Sequence, residues 1–239
     1  MTREDFFTKI CGDNATTEQA LISLLEARGF LIEHLAEGFY LSDNGHVGDG
    51  VYLNQLLEKY GLGFVDGSRI VVTGSELSEF IETEFCEGYR IGKSSVWENG
   101  DWRWFKNHEY GTKAVVSDLE PFIARYIKAI SACAVITVSC CDGNHPGKHE
   151  MLIKTSGMGS MPWHKLICEK CLVDRFNINW AENYAVVRFS NASKYDTYYA
   201  VNMAADFLYR NRKEIRRIKK DALDGLSNSY LRNHSPAEI

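Results

Sequence analysis

Two short stretches hold most of the residues able to do chemistry. The first, "SCCDGNHPGKHE" (Ser139 to Glu150), brings together Cys140, Cys141, Asp142, His145 and His149 around turn-forming Gly143 and Pro146-Gly147. The second, "PWHKLICEKCLV", adds His164 and the pair Cys168-x2-Cys171. Zinc takes four soft or borderline ligands in a tetrahedron, and a closely spaced pair lets one turn supply two of them. Cys168 with Cys171 makes one such half-site, and His145 with His149 has the spacing of the other. Cys141 is an alternative ligand that can replace a histidine. The histidine pair comes first, the reverse of the familiar finger order, and it straddles Pro146-Gly147, so it does not sit on a regular helix.

The same residues admit two other readings. A thiol with an ordinary pKa of about 8.5 becomes a nucleophile near neutral pH when a histidine is paired with it. Cys141 would then attack, with His145, His149 or His164 as base and Asp142 orienting an imidazole. The third reading is structural: cysteine is among the most often buried residue types, and a turn between two strands needs no chemistry. No G-x-G-x-x-G, Walker A, G-x-S-x-G or H-E-x-x-H pattern occurs in the chain.

Two further features suit partner binding. In "SSVWENGDWRWFKNHEYG", Asn99-Gly100 between aromatic and β-branched runs is a strong hairpin signal. Trp102 and Trp104 fall on one face of its second strand, either as core cover or as a platform for a partner. Near the C-terminus, "YRNRKEIRRIKK" concentrates cations. At about 100° per residue, Arg210, Lys213, Arg217 and Lys220 line up along one side of a helix, with Ile215 and Ile218 as an apolar strip. Such a stripe fits an acidic protein, or nucleic-acid phosphates as an alternative. The plain alternative is a solvated helix end. The strip also suggests packing on a second subunit, hence a homo-oligomer.

These groups must be positioned by a scaffold, and the chain is long enough for one. Its 239 residues are 45% hydrophobic and 25% charged with a formal charge of -5, an ordinary globular composition that argues against wholesale, charge-driven nucleic-acid binding. No apolar run suffices for a signal peptide or a membrane span, which points to a cytoplasmic protein that keeps its seven cysteines reduced and does not engage a membrane.

Helical periodicity marks "ATTEQALISLLEARG", capped at Thr16 or Thr17 and stopped by Gly29, then "VYLNQLLEKYG". It also marks "SELSEFIETEFCEGYRI", opened by Ser75 with its glutamates on a solvated face, and "SDLEPFIARYIKAISACA", capped by Ser117 or Asp118. A long closing helix runs from "KYDTYYAV" through the basic segment. Strands are expected at "FLIEHLAEGFYL", "SRIVVTG", "AVITVS", "MLIKTSG" and "NYAVVRFSN". The pattern predicts an α+β fold with mixed helices and short antiparallel sheets in two subdomains. A change of texture divides an N-terminal region, 1–112, from a C-terminal helix–strand–strand–strand–helix region, 113–239.

The order helix, "AVITVSCCDGNH", strand resembles short strand-then-Cys-Gly segments of uncharacterised bacterial and phage proteins, and implies no functional residue. The function expected from these features is that of a non-enzymatic binding or inhibitor-type protein of phage or mobile-element origin, engaging a macromolecular partner, with zinc stabilising the Cys/His loop. The alternative is an enzyme using Cys141 with a nearby histidine, or a zinc-bound water, for hydrolytic or transfer chemistry.

Overall fold

Pro121 opens the helix around which the other elements gather. A computed structural model describes residues 1–86, 114–144, 150–155, 160–172, 178–181, 184–189 and 193–219. The hairpin with Trp102 and Trp104, the histidines His145 and His149, Lys220 and the expected boundary at residue 112 lie outside the described residues.

The first half begins with α1 (Arg3–Cys11) and α2 (Thr17–Arg28). Each has a capping box, in which Thr2 pairs with Asp5 and Thr16 with Gln19. Gly29 ends α2 in the left-handed conformation at φ 110°, where an added Cβ would lie 2.8 Å from the Ala124 Cβ. Two hairpins follow, β1 (Ile32–Leu35) with β2 (Gly38–Leu41), and β3 (Gly63–Asp66) with β4 (Arg69–Val72). Helix α3 (Gly48–Lys59) lies between them in sequence. They form one antiparallel sheet in the order β1-β2-β4-β3.

The second half starts with a short 3-10 turn at Val116–Asp118 and then α5 (Pro121–Ala132). Strands β5 (Thr137–Cys141), β6 (Glu150–Thr155), β7 (Ile178–Trp180) and β8 (Tyr184–Arg188) make a second antiparallel sheet, ordered β5-β6-β8-β7. Helix α6 (Ser160–Cys171) lies between β6 and β7 in sequence, and α7 (Lys194–Arg210) follows β8. A further helix, α8, occupies 212–219. The architecture is therefore α+β with two four-stranded antiparallel sheets, as the sequence pattern predicts. Among the described residues no helix is long and apolar enough to cross a membrane.

The apolar stripe of α5 explains its central place. Phe122, Ile123, Tyr126, Ile127 and Ile130 are all buried, and α5 packs on α2, α7 and β5. The Phe122 and Tyr198 rings stack at 4.2 Å, joining α5 to α7. One continuous apolar cluster runs from Phe6 in α1 to Ile215 in α8 and includes Met151, Ile153, Ala185 and Val187 from the second sheet.

Three local expectations change. The N-cap of α5 is Glu120 rather than Ser117 or Asp118, because Pro121 suits the first helical position and the residues before it form the 3-10 turn. The acidic helix shrinks to α4 (Ser78–Ile81), with Leu77 rather than Ser75 as N-cap, and runs into a π-helical turn at Glu82–Cys86. That turn rotates Glu84 inward, where it is 3% exposed and accepts from the Tyr52 and Tyr60 hydroxyls. The expected closing helix divides at Asn211, although the bonds from Asn211 N to Phe207 O and from Ile215 N to Asn211 O continue through it.

Candidate functional site

The cysteine–histidine residues fall into two different surroundings. At the end of β5, Cys140 pairs in register with Ile153 and Cys141 with Leu152. Buried Asp142 follows, and its carboxylate accepts from the Phe122 and Asn144 backbone amides. Asp142 thus holds the first turn of α5 from a neighbouring loop, where a negative charge also suits the helix dipole. Its own amide donates to the Glu120 carboxylate.

This environment sets the character of Cys141. Burial, with Glu120 and Asp142 adding to it, pushes the thiol up to about 11, against the lowering effect of the Gly143 amide that donates to Sγ. Cys140 is pushed up further by the same causes. A thiolate beside two carboxylates is electrostatically disfavoured, the opposite of what an activated nucleophile requires.

His164, Cys168 and Cys171 belong to α6. His164 is fully buried; its Nε2 is 2.9 Å from the Tyr126 hydroxyl and its ring meets Trp180 edge-on at 5.0 Å. Burial lowers its pKa to about 3, so the imidazole is neutral at physiological pH. Among the described residues, its Nδ1 has no hydrogen-bond partner. Cys168 Sγ lies 3.5 Å from the same Tyr126 hydroxyl, and burial pushes that thiol up to about 12. Cys171 is half-buried. The structure therefore joins His164 to Cys168 through Tyr126, and gives Cys141 Glu120 and Asp142 as neighbours. Among the described residues, no group of three His, Cys, Asp or Glu side chains is placed to hold a metal ion.

The basic segment is divided between two roles. Arg216 donates to Ala132 O and Lys219 to Ala134 O, placing both cations at the C-terminal end of α5, where they complement its dipole. Arg212 bonds Glu33 at 2.8 Å and covers the Tyr209 ring at 4.0 Å, tying α8 to β1. Arg210, Lys213 and Arg217 instead stay exposed. Arg210 pairs with Asp206 and Arg217 with Glu214, each within its own helix. The apolar strip also separates: Ile215 is 3% exposed and packs into its own chain, while Ile218 stays 37% exposed.

Position along a helix predicts which cations share a side, but their long side chains reach carbonyls on a different helix. The partners Glu33, Ala132 and Ala134 lie far from the basic segment in sequence, so nothing local marks them. The capping role of Asp142 is hidden for the same reason. Comparison of the chain with protein-family models, with curated proteins and with solved structures gives no match.

Proposed function

We propose that this chain is a non-enzymatic binding protein that engages an acidic protein surface through the ridge formed by Arg210, Lys213 and Arg217. The observation that carries the reading is the division of the basic segment. Arg212, Arg216 and Lys219 have tertiary work to do in the fold, whereas Arg210, Lys213 and Arg217 project from a chain of net charge -5. Exposed charges of this kind add little to stability but set association rate and partner choice.

An acidic protein fits better than a nucleic acid because Asp206 and Glu214 are interspersed with the cations. Paired with Arg210 and Arg217, the two carboxylates interrupt the continuous positive charge that a closely spaced phosphate backbone favours, whereas the sparser carboxylates of an acidic protein need only the three cations. The raised thiol pKa of Cys141 supports a binding role over thiol catalysis.

The test is fluorescence anisotropy of labelled poly-glutamate and of labelled duplex DNA, with wild type and the triple variant Arg210→Glu/Lys213→Glu/Arg217→Glu. The expected result is salt-sensitive binding of poly-glutamate that the triple variant loses while its unfolding midpoint is retained. Unchanged poly-glutamate binding in the folded variant overturns the reading. Stronger binding of DNA than of poly-glutamate transfers the ridge to nucleic acid.

A further inference from the structure

Among the described residues, the second sheet has one face on the helices and one face that no helix covers. Met151 and Ile153 of β6 and Ala185 and Val187 of β8 are buried against the core, so their alternating neighbours point the other way. On that outer side lies a groove of about 610 Å³, a volume typical of small-molecule sites. Its floor is apolar where Leu152 pairs with Val186 in the middle of the two central strands.

The two ends of the groove differ in charge. At one end Glu150 pairs in register with Arg188, so opposite charges face each other. At the other, Lys154 pairs with Tyr184, an ammonium beside a phenol that is 39% exposed. Four residues of strand separate the ends, roughly 13 Å at about 3.3 Å per residue. The Lys154 end therefore carries positive charge and hydrogen-bond donors, next to an apolar floor and an exposed aromatic ring. Among the described residues, the register partners of Lys154 are Ser139 and Tyr184, neither a carboxylate, whereas Glu150 opposes Arg188.

From this geometry we infer a binding site for a flat, mostly apolar ring compound with one anionic group. The ring lies on Leu152 and Val186 against Tyr184, and the anion is held by Lys154. A sheet floor favours a flat molecule, and charge complementarity orients its anion toward Lys154 rather than toward Glu150. The site lies on the opposite side of the sheet from the packed helices and is independent of the basic ridge.

The probe is 1-anilinonaphthalene-8-sulfonate, an aromatic sulfonate whose emission rises on leaving water, titrated into the full chain. Saturable binding to one site is expected, weakened about tenfold or more by Lys154→Glu, as loss of a charge-assisted bond predicts. Val186→Glu, which puts an anion in the floor, should do the same, and Lys213→Glu should leave binding unchanged. Thioflavin T, a flat cation of similar size, should bind more weakly than the sulfonate. If Lys154→Glu does not fold, Lys154→Gln replaces it with the same expected direction. The inference is overturned by absence of saturable binding to wild type. It is equally overturned by binding that survives substitution of Lys154, or by equal binding of the cationic dye.

Discussion

Lys128 in α5 and Asp49 in α3 meet at 2.6 Å with side chains only 1% and 0% exposed, a buried ion pair between the two halves of the sequence. Asp49 also accepts from the backbone amides of His46 and Val116, and Lys128 donates to Ala114 O. A buried charge whose partner is removed is costly, on the order of 3–5 kcal/mol. Asp49→Leu should reach that range in urea unfolding, because it strands the ammonium and two amides together. Lys128→Met should cost less, since Asp49 keeps both amide donors. The double variant should lose less than the sum of the two singles. Additive losses, or a larger loss for Lys128→Met, would contradict the network described.

His164 gives the fold a definite acid sensitivity. Its folded pKa is depressed from 6.5 to about 3 by burial. Below about pH 6.5 the unfolded chain takes up a proton that the folded chain refuses, so stability falls with falling pH until the folded pKa is reached. The slope from this one group approaches about 1.4 kcal/mol per pH unit. His164→Gln, which keeps a hydrogen-bonding group near Tyr126, should flatten the midpoint-versus-pH curve between about pH 6 and pH 4. A slope identical to wild type would mean that the imidazole takes up its proton in the fold.

The elements legible in the sequence are those whose signals are local and long. Thr16, Gly29 and the α5 stripe are examples, because a cap, a left-handed stop and a 3.6-residue period all act within one helix. Short β3 and β7 escaped because three or four residues do not establish an alternation. Helix α1 carried its signal in plain view, Thr2 followed three residues later by Asp5, but lacked a long periodic run to draw attention to it. Glu84 departs from the solvated face that the helical pattern predicts because a π turn, which no periodicity rule anticipates, rotates it inward.

For the candidate site, residue types were legible and surroundings were not. Spacing pairs Cys168 with Cys171 in the sequence, whereas in the structure Cys168 and His164 share Tyr126 from another helix. Cys141 is set first by burial, and then by Glu120, which is distant in sequence and close in space. Lys154, Tyr184 and Arg188 read simply as strand residues, since a groove arises only when β6 and β8 are paired in register.

Gly143 is the turn residue on which the Cys141 loop depends. Its φ is +71°, and an added Cβ would lie 2.2 Å from Glu150 O and 2.8 Å from the Phe189 ring. Gly143→Ala combines left-handed strain with a backbone clash and should destabilise the chain by at least about 1–3 kcal/mol. Gly67, also at positive φ but with open space around its Cβ position, supplies the control. Gly67→Ala should cost clearly less in the same unfolding series. Equal losses would show that backbone strain alone, without the contact to Glu150, accounts for the effect.

The thiols decide between binding and catalysis. Burial raises Cys133 and Cys168 to about 12 and Cys141 to about 11, and it raises Cys11, Cys86, Cys140 and Cys171 as well. Reaction with iodoacetamide proceeds through the thiolate, so at pH 7.5 no cysteine of the folded chain should alkylate faster than a free thiol of pKa about 8.5. Residue-resolved mass spectrometry over time is the measurement. Because Glu120 contributes to the raised pKa of both Cys140 and Cys141, Glu120→Gln should speed alkylation at this pair and leave Cys168 unchanged. A rapid wild-type reaction confined to Cys141 would show that the thiolate is stabilised after all, and would restore the nucleophilic reading of this loop over the binding one.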